Sequence, residues 1–250
     1  MLRALLLAVG LLSRLPVPTV AVDATALGRS PLWYPWVGLL LGMLASVFAL
    51  MLQPASALLA AAGYTVALMV LSGGLHLDGL GDTADAWIGG HGDRDRMLQI
   101  MKDPRCGPMA VAAIAGVLLF RVAAAHALIG VGSWTMLVCA PALGRAVGAG
   151  LLAGVPGARS DGLAAQLQQR LARRGIGVSL LLIALVIAVA AAAAGTVAVL
   201  AAGLTALLLG RSFRRRLGGV SGDTVGAAIE LSETVALVAA AVWLGAGWPA

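Results

Sequence analysis

The sequence predicts an all-α, polytopic integral membrane helix bundle of about seven spans, with a cytoplasmic N-terminus and a single membrane domain over residues 1–250. Three observations predict it. Of the 250 residues, 60% are hydrophobic and 11% charged, against about 25% charged in a soluble domain; mean hydropathy is +0.97. Apolar runs recur at lengths near the roughly 20 residues that a span needs. The basic residues fall in short loops that alternate with those runs.

The elements follow in chain order. Residues 1–30 read as an interfacial segment. Its start, MLRALLLAVGLLSRLPVPTV, superficially resembles a signal peptide, but the apolar run ends at Ser13-Arg14-Leu15-Pro16-Val17-Pro18 without a small-residue cleavage site. A retained short helix broken by two prolines is expected instead. Spans are expected at 32–52, 55–75, 108–130, 134–155, 177–194, 196–210 and 224–246. The run 176–210 carries no charge. As one helix it would measure about 52 Å against a hydrocarbon core of about 30 Å, so a hairpin turning near Gly195 and Thr196 is expected.

The basic residues support this count. Arg3, Arg14 and Arg29 precede the first span, Arg94, Arg96, Lys102 and Arg105 follow the second, Arg159, Arg170, Arg173 and Arg174 follow the fourth, and Arg211, Arg214, Arg215 and Arg216 follow the sixth. All these loops fall on one side, which the positive-inside rule makes cytoplasmic. Trp33, Tyr34, Trp36, Trp134 and Trp248 stand at span ends, as interfacial aromatics do. The net charge of +6 is explained by topology, so no nucleic-acid partner is inferred. Cys106 and Cys139 are too few for a disulfide framework.

Six of the 11 acidic residues lie between Asp78 and Asp103, in a cytoplasmic acidic segment over 76–107. Asp78, Asp82 and Asp85, spaced by four and three, fall on one helix face. Carboxylate oxygens so grouped suit Mg²⁺, which keeps waters and bridges to phosphates. Gly79 and Gly81 are read as leaving the surface bare for a phosphate ester. Helix capping accounts for one or two of these carboxylates, not for three in register.

In 93–107, Arg94, Arg96, Lys102 and Arg105 suit phosphate oxygens, and Asp103 suits an additional metal ligand. A solvated amphipathic segment is an equal reading. In the second acidic motif, 218–233, Asp223, Glu230 and Glu233 lie near one face, with Glu230 about 10 Å into a span. Buried acids there mark a site, a proton path, or partners for Arg121 and Arg145 within other spans. His76, just before Asp78, reads as a base, as a residue orienting one, or as an interfacial histidine. P-loop, GxGxxG, GxSxG and HExxH motifs are absent.

These stretches resemble the cobalamin synthase (adenosylcobinamide-GDP ribazoletransferase) family of membrane enzymes. The resemblance runs through SRLPVP (13–18), PWVGLLLG (35–42), GGLHLDGLGDTADA (73–86), DRMLQIMKDPRCG (95–107) and GGVSGDTVGAAIELSE (218–233). Gly81 and Pro104 depart from the Ala and Ser of the family pattern, and Ala110 stands where glycine is commoner. The resemblance implies a bacterial cytoplasmic (inner) membrane enzyme with its site facing the cytoplasm. The hydroxyl of α-ribazole, or of its 5′-phosphate, would attack the phosphorus bound to cobinamide in adenosylcobinamide-GDP and release GMP.

It further implies Mg²⁺ held by Asp78, Asp82, Asp85, Asp103 and Asp223. Catalytic roles fall to Asp82, Asp85 and His76, with Asp85 favoured as base. Arg94, Lys102, Arg105, Arg145 and Glu230 are expected to hold substrate. The bilayer is a partner, and a homo-oligomer is an open option. Two other readings are a CDP-alcohol phosphotransferase and an ion-coupled transporter. The first calls for Ala-Arg after the DG, where Asp82-Thr83 stands. The second would route ions past Glu230, Glu233, Arg121 and Arg145 and has no need of the 93–107 loop.

Overall fold

The ends of the helices are set by local chemistry, in a computed structural model that describes residues 1–245. The helix α1 (Leu2–Leu12) has 11 residues, about 16 Å, too short to cross a bilayer. It stops ahead of the two prolines, where the Ser13 hydroxyl donates to the Val9 carbonyl at 2.7 Å. Asp23 caps α2 (Ala24–Arg29) by accepting from the Ala26 N–H at 2.7 Å. A 3-10 turn, Ser30–Trp33, leads into α3 (Tyr34–Leu52). Ser56 caps α4 (Ala57–Ser72). Gly73 and Gly74 follow at φ 69° and 70°, backbone that side chains with a Cβ avoid, and they turn α5 (Leu75–Gly89) by 91° from α4.

Asp93 caps α6 (Arg94–Ile100) through the N–H groups of Asp95 and Arg96. Then come α7 (Pro108–Gly130), α8 (Trp134–Gly154) and the short α9 (Leu163–Gln168). The hairpin of α10 (Arg173–Ala190) and α11 (Ala192–Leu217) precedes α12 (Gly222–Gly245). Among the described residues six helical units are long and apolar enough to cross a membrane, and the bent α4–α5 pair makes a seventh if it is taken as one span. The described residues form no strand, only an isolated parallel bridge between Gly157 and Val220.

The expected hairpin is present, but its turn lies at Ala191 and Ala192, the latter at φ 47°, and not at Gly195 and Thr196. Gly195 sits in the first turn of α11, where its missing side chain lets it lie against the Ile187 carbonyl. That glycine serves close packing rather than reversal. The expectation for Trp248 lies outside the described residues.

The most buried spans are α8 and α12, 78% and 67% buried over their apolar windows against 22% for α10 and α11. Gly38 and Gly42 bring α3 against the α8 backbone, and Gly144 and Gly148 bring α8 against Ile229 and Glu233 of α12. Pro141 inside α8 cannot donate to the Leu137 carbonyl one turn back. The Tyr64 hydroxyl of α4 donates to that carbonyl instead, at 2.6 Å, so no acceptor is left bare in the apolar core.

The polar segments collect at the end of the bundle where α3, α7, α10 and α12 begin. Arg14 N–H donates to the Leu71 carbonyl at 2.7 Å, and Ala172 N–H to Gly28 at 3.2 Å. Arg94 of α6 donates through Nε to the Leu217 carbonyl at 2.9 Å and through Nη2 to Ala158 at 2.7 Å. At this end Trp87 of α5 meets Phe213 edge-on at 5.7 Å and takes the Arg216 guanidinium over its ring.

Candidate functional site

Two acidic motifs, far apart in sequence, meet because two glycines let α5 and α12 touch backbone to backbone. A Cβ on Gly79 would stand 2.7 Å from the Asp223 carbonyl oxygen, and one on Gly226 would stand 3.2 Å from the His76 Cα. Ser221 fixes the start of α12 through a reciprocal capping box. Its N–H donates to Thr224 Oγ1 at 2.8 Å, and its hydroxyl accepts from the Thr224 N–H at 3.3 Å. Asp223 therefore projects from the first turn, beside Asp78 and Asp82.

Asp78, Asp82 and Asp85 all lie on α5, as the spacing predicted. The side chains of Asp78 and Asp82 have no hydrogen bond or ion pair among the described residues. The Asp82 carboxyl is raised to about 6, first by partial burial and then by the charges of Asp78, Asp223 and Asp85. A face of mutually repelling, unpaired carboxylates fits a divalent cation by the chemistry of its donors. No cluster of three or more His, Cys, Asp or Glu side chains is closed enough to hold a metal alone among the described residues. A shared site completed by substrate oxygens suits Mg²⁺ in particular.

Asp85 has a different employment. Its Oδ2 accepts from the Gly107 N–H at 2.7 Å and its Oδ1 from the Ala110 N–H at 3.0 Å. It thus caps α7, whose first residue is a proline, and pins the 101–107 loop to α5. Gly79 and Gly81 also differ from expectation: both are packing positions. Gly79 faces the Asp223 backbone, and a Cβ on Gly81 would meet the Ala110 Cβ at 3.0 Å. The Ala110 methyl thus occupies the space that a side chain at position 81 would need.

The pinned loop forms the far wall of a cleft of about 180 Å³, with Asp78 and Asp82 on one side and Lys102, Asp103 and Arg105 on the other. Arg105 Nε donates to Asp103 at 2.9 Å and holds that carboxyl down at about 2. Asp103 is therefore paired with its neighbour rather than converging on the α5 face. Lys102 is 3.7 Å from Asp161, and both side chains are mostly exposed, so the lysine can swing toward a phosphate.

Three expected substrate contacts are engaged elsewhere. Arg94 clamps the Leu217 and Ala158 carbonyls. Arg145 and Glu230 belong to a buried network with Arg121 and Glu233. Arg121 Nη2 reaches Glu230 Oε2 at 2.6 Å, Arg121 Nη1 reaches Glu233 Oε1 at 3.4 Å, and Arg145 Nη1 bonds Glu233 Oε2. Arg145 and Glu230 are 1% and 2% exposed, and an arginine so buried must take its counter-charge from the protein. This is the structural pairing that sequence left as one option.

His76 is buried on the α12 side, with Nδ1 3.9 Å from Glu230 Oε1 and without a hydrogen bond. Arg159 is the residue that the sequence reading passed over, counting it only as a loop charge. It donates to the Leu98 carbonyl at 2.9 Å, and its charge acts on Asp223. Its position in a post-span loop was the only signal, shared with ten other arginines.

Fold and site together define a polytopic helical membrane protein with its unpaired carboxylates gathered at one end of the bundle. The family model described as cobalamin-5-phosphate synthase matches residues 4–241, and the chain belongs to that family. It is 46% identical over 239 residues to a Pseudomonas entomophila protein named adenosylcobinamide-GDP ribazoletransferase, covering 94% of this chain and 97% of the relative. Relatives of the same name in Pseudomonas putida and Stutzerimonas stutzeri are 44% and 43% identical, each covering 96% of this chain and 98% of the relative. No solved structure matches the chain.

Proposed function

We propose that this chain transfers the cobinamide-phosphate group of adenosylcobinamide-GDP to a ribose hydroxyl of α-ribazole, one that stays free when the 5′ position carries a phosphate, so that α-ribazole 5′-phosphate accepts through the same hydroxyl. The oxygen–phosphorus bond to the acceptor forms, the phosphoanhydride bond breaks, and GMP leaves with the bridging oxygen. The observation that carries the reading is that Asp78 and Asp82 stand unpaired across a cleft from Lys102 and Arg105, with Asp223 brought up behind them by the contact of α5 with α12. The name of the relatives supplies the reaction.

Phosphoryl transfer needs little covalent help from the protein, so positioning and charge neutralisation carry the rate. Asp78, Asp82 and Asp223 are the residues that would hold Mg²⁺, which when bound neutralises phosphate charge and polarises phosphorus. The acceptor proton passes to the unpaired carboxylate face, of which Asp82 is the half-buried member. Lys102 and Arg105 take up phosphate oxygens on the loop wall. Asp85 keeps that wall in place, and Arg159 offsets the Asp223 charge. The buried arginines and glutamates pair their charges with one another, which favours a structural role over the ion path of the transporter reading.

Purified protein incubated with adenosylcobinamide-GDP, α-ribazole and Mg²⁺ should release GMP and form the completed corrinoid in equal amounts. Folded protein that releases no GMP with either acceptor would overturn the reading.

The arginine-rich end supports a cytoplasmic site in a bacterial inner membrane. Cys106, exposed beside the cleft, and Cys139, buried in α8, make this testable. An impermeant maleimide should label Cys106 in inside-out vesicles and leave it unlabelled in intact spheroplasts. Labelling in spheroplasts would reverse the topology.

A further inference from the structure

The bundle holds a larger crevice than the acidic cleft. It lies between α8, α10 and α11, holds about 520 Å³ and is lined by apolar side chains apart from Arg211 and Arg214 at one end. No acidic residue lines it. On α8 the lining begins at Leu143 and recurs every three or four residues to Gly154, and on α11 it runs from Val199 to Arg214 in the same way. These stretches measure about 16 and 22 Å along their helices, near half or somewhat more of a hydrocarbon core of about 30 Å. The groove therefore has the length of one leaflet.

Its arginine end lies level with the polar end of the bundle. Arg214 Nη2 donates to the Gly154 carbonyl at 3.2 Å, and Arg173 donates to the neighbouring Ala153 carbonyl. Both guanidiniums are thereby held at the end of α8. Arg211 has no hydrogen bond or ion pair among the described residues. The depth comes from small residues, Gly150, Gly203 and Ala206 among them. A Cβ on Gly203 would meet nothing within 4 Å, so space there is open and not filled by a neighbouring helix.

We propose that this crevice is a binding site for one anionic phospholipid. An acyl chain lies in the α8–α10–α11 groove, and the headgroup phosphate pairs with Arg211 and the free donors of Arg214. A neutral apolar groove would take any lipid tail. The unpaired arginine and the lack of any carboxylate give this one a preference for net negative charge. The site is separate from the acidic cleft and does not depend on the proposed reaction.

The test uses full-length protein, delipidated in a mild non-ionic detergent, and three probes: phosphatidylglycerol, phosphatidylcholine with the same acyl chains, and inorganic phosphate. Native mass spectrometry reads the bound lipid, and the melting temperature reads its effect. One phosphatidylglycerol should bind and raise the melting temperature. Arg211→Gln should weaken it about five-fold, the effect of one basic charge at an anionic interface, while leaving phosphatidylcholine binding unchanged. Gly203→Leu places a side chain in the groove from a position where a Cβ meets nothing within 4 Å, and should abolish the lipid adduct while the protein without lipid melts no lower than the parent.

Equal affinity for the two lipids in the parent protein would overturn the proposal. So would full stabilisation by phosphate alone, or unchanged phosphatidylglycerol binding in Gly203→Leu. A dimer that Gly203→Leu converts to monomer with lipid binding intact would assign the groove to a second copy of the chain.

Discussion

Asp82→Asn lowers GMP release by about 100-fold or more, the scale of a lost proton-transfer group or metal ligand, and yet melts at a higher temperature than the parent protein in metal-free buffer. The two results share a cause. Asp82 stands among Asp78, Asp85 and Asp223 with no basic partner of its own, so its charge is repelled in the folded state and free of that repulsion in the unfolded one. Its carboxyl is raised to about 6 in the folded protein from an ordinary value of 3.8. The folded state therefore binds the proton more tightly than the unfolded state does. By linkage, stability falls as pH rises from about 4 to about 6 and is regained on acidification through the same window. With a chelator present, the parent should melt at a higher temperature at pH 5 than at pH 7, by a margin that Asp82→Asn lacks. A variant with near-parental turnover would remove Asp82 from the site, and one that melts lower would show that its charge is compensated.

Glu233→Leu is the most destabilising single change expected, at about 3–5 kcal/mol, the cost of stripping one partner from a buried ion pair. That is a large part of the roughly 5–15 kcal/mol of a typical protein. Glu233 takes ion pairs from both Arg121 and Arg145 at 1% exposure, so its loss leaves Arg145 charged, buried and unmatched. The double variant Arg145→Met/Glu233→Leu should recover most of the loss, because no unmatched buried charge remains and the Arg121–Glu230 pair is kept. Denaturant unfolding in detergent micelles measures both. If the single variant folds normally and loses only its affinity for adenosylcobinamide-GDP, the network holds substrate. A double variant as unstable as the single would show that packing, and not charge pairing, is what Glu233 supplies.

The two variants act in opposite directions although both remove a carboxylate from the same half of the molecule. Position in the bundle makes the difference. Asp78 and Asp82 lie at the polar end without partners, and Glu233 lies among arginines in apolar surroundings. Sequence carried a hint of this, since Arg121 and Arg145 fall inside apolar runs and a charge there needs a partner. It could not say which glutamate met which arginine, and so Arg145 and Glu230 were expected at the substrate. Arg94 misled for a similar reason: a guanidinium on a polar loop suits phosphate and backbone carbonyls equally, and the α11 end at Leu217 was out of sight.

Asp85 shows the limit of helical spacing. The spacing of four and three did place it on the same helix as Asp78 and Asp82. It did not reveal that the Gly107 and Ala110 N–H groups would come to it from a loop more than 20 positions away. Gly79 and Gly81 likewise read as bare surface, when what covers them arrives from α12 and α7. The hairpin turn was misplaced because Gly195 is as good a residue for close packing as for reversal.

The sequence by itself determined the membrane class, a count of six to seven spans, the gathering of the charges at one end of the bundle, the helical register of the α5 aspartates and the family. All of these follow from local signals: hydropathy over about 20 residues, charge at loop positions, caps, and motif order. Only the tertiary structure decided which acids lie together. Asp78 and Asp82 join Asp223 because glycines at 79 and 226 let two helix backbones touch, while Asp85, Asp103, Glu230 and Glu233 are each bound to partners of their own. A carboxylate's chemistry is set by what lies within a few ångströms of it, and in this bundle those neighbours come from other helices and from distant loops.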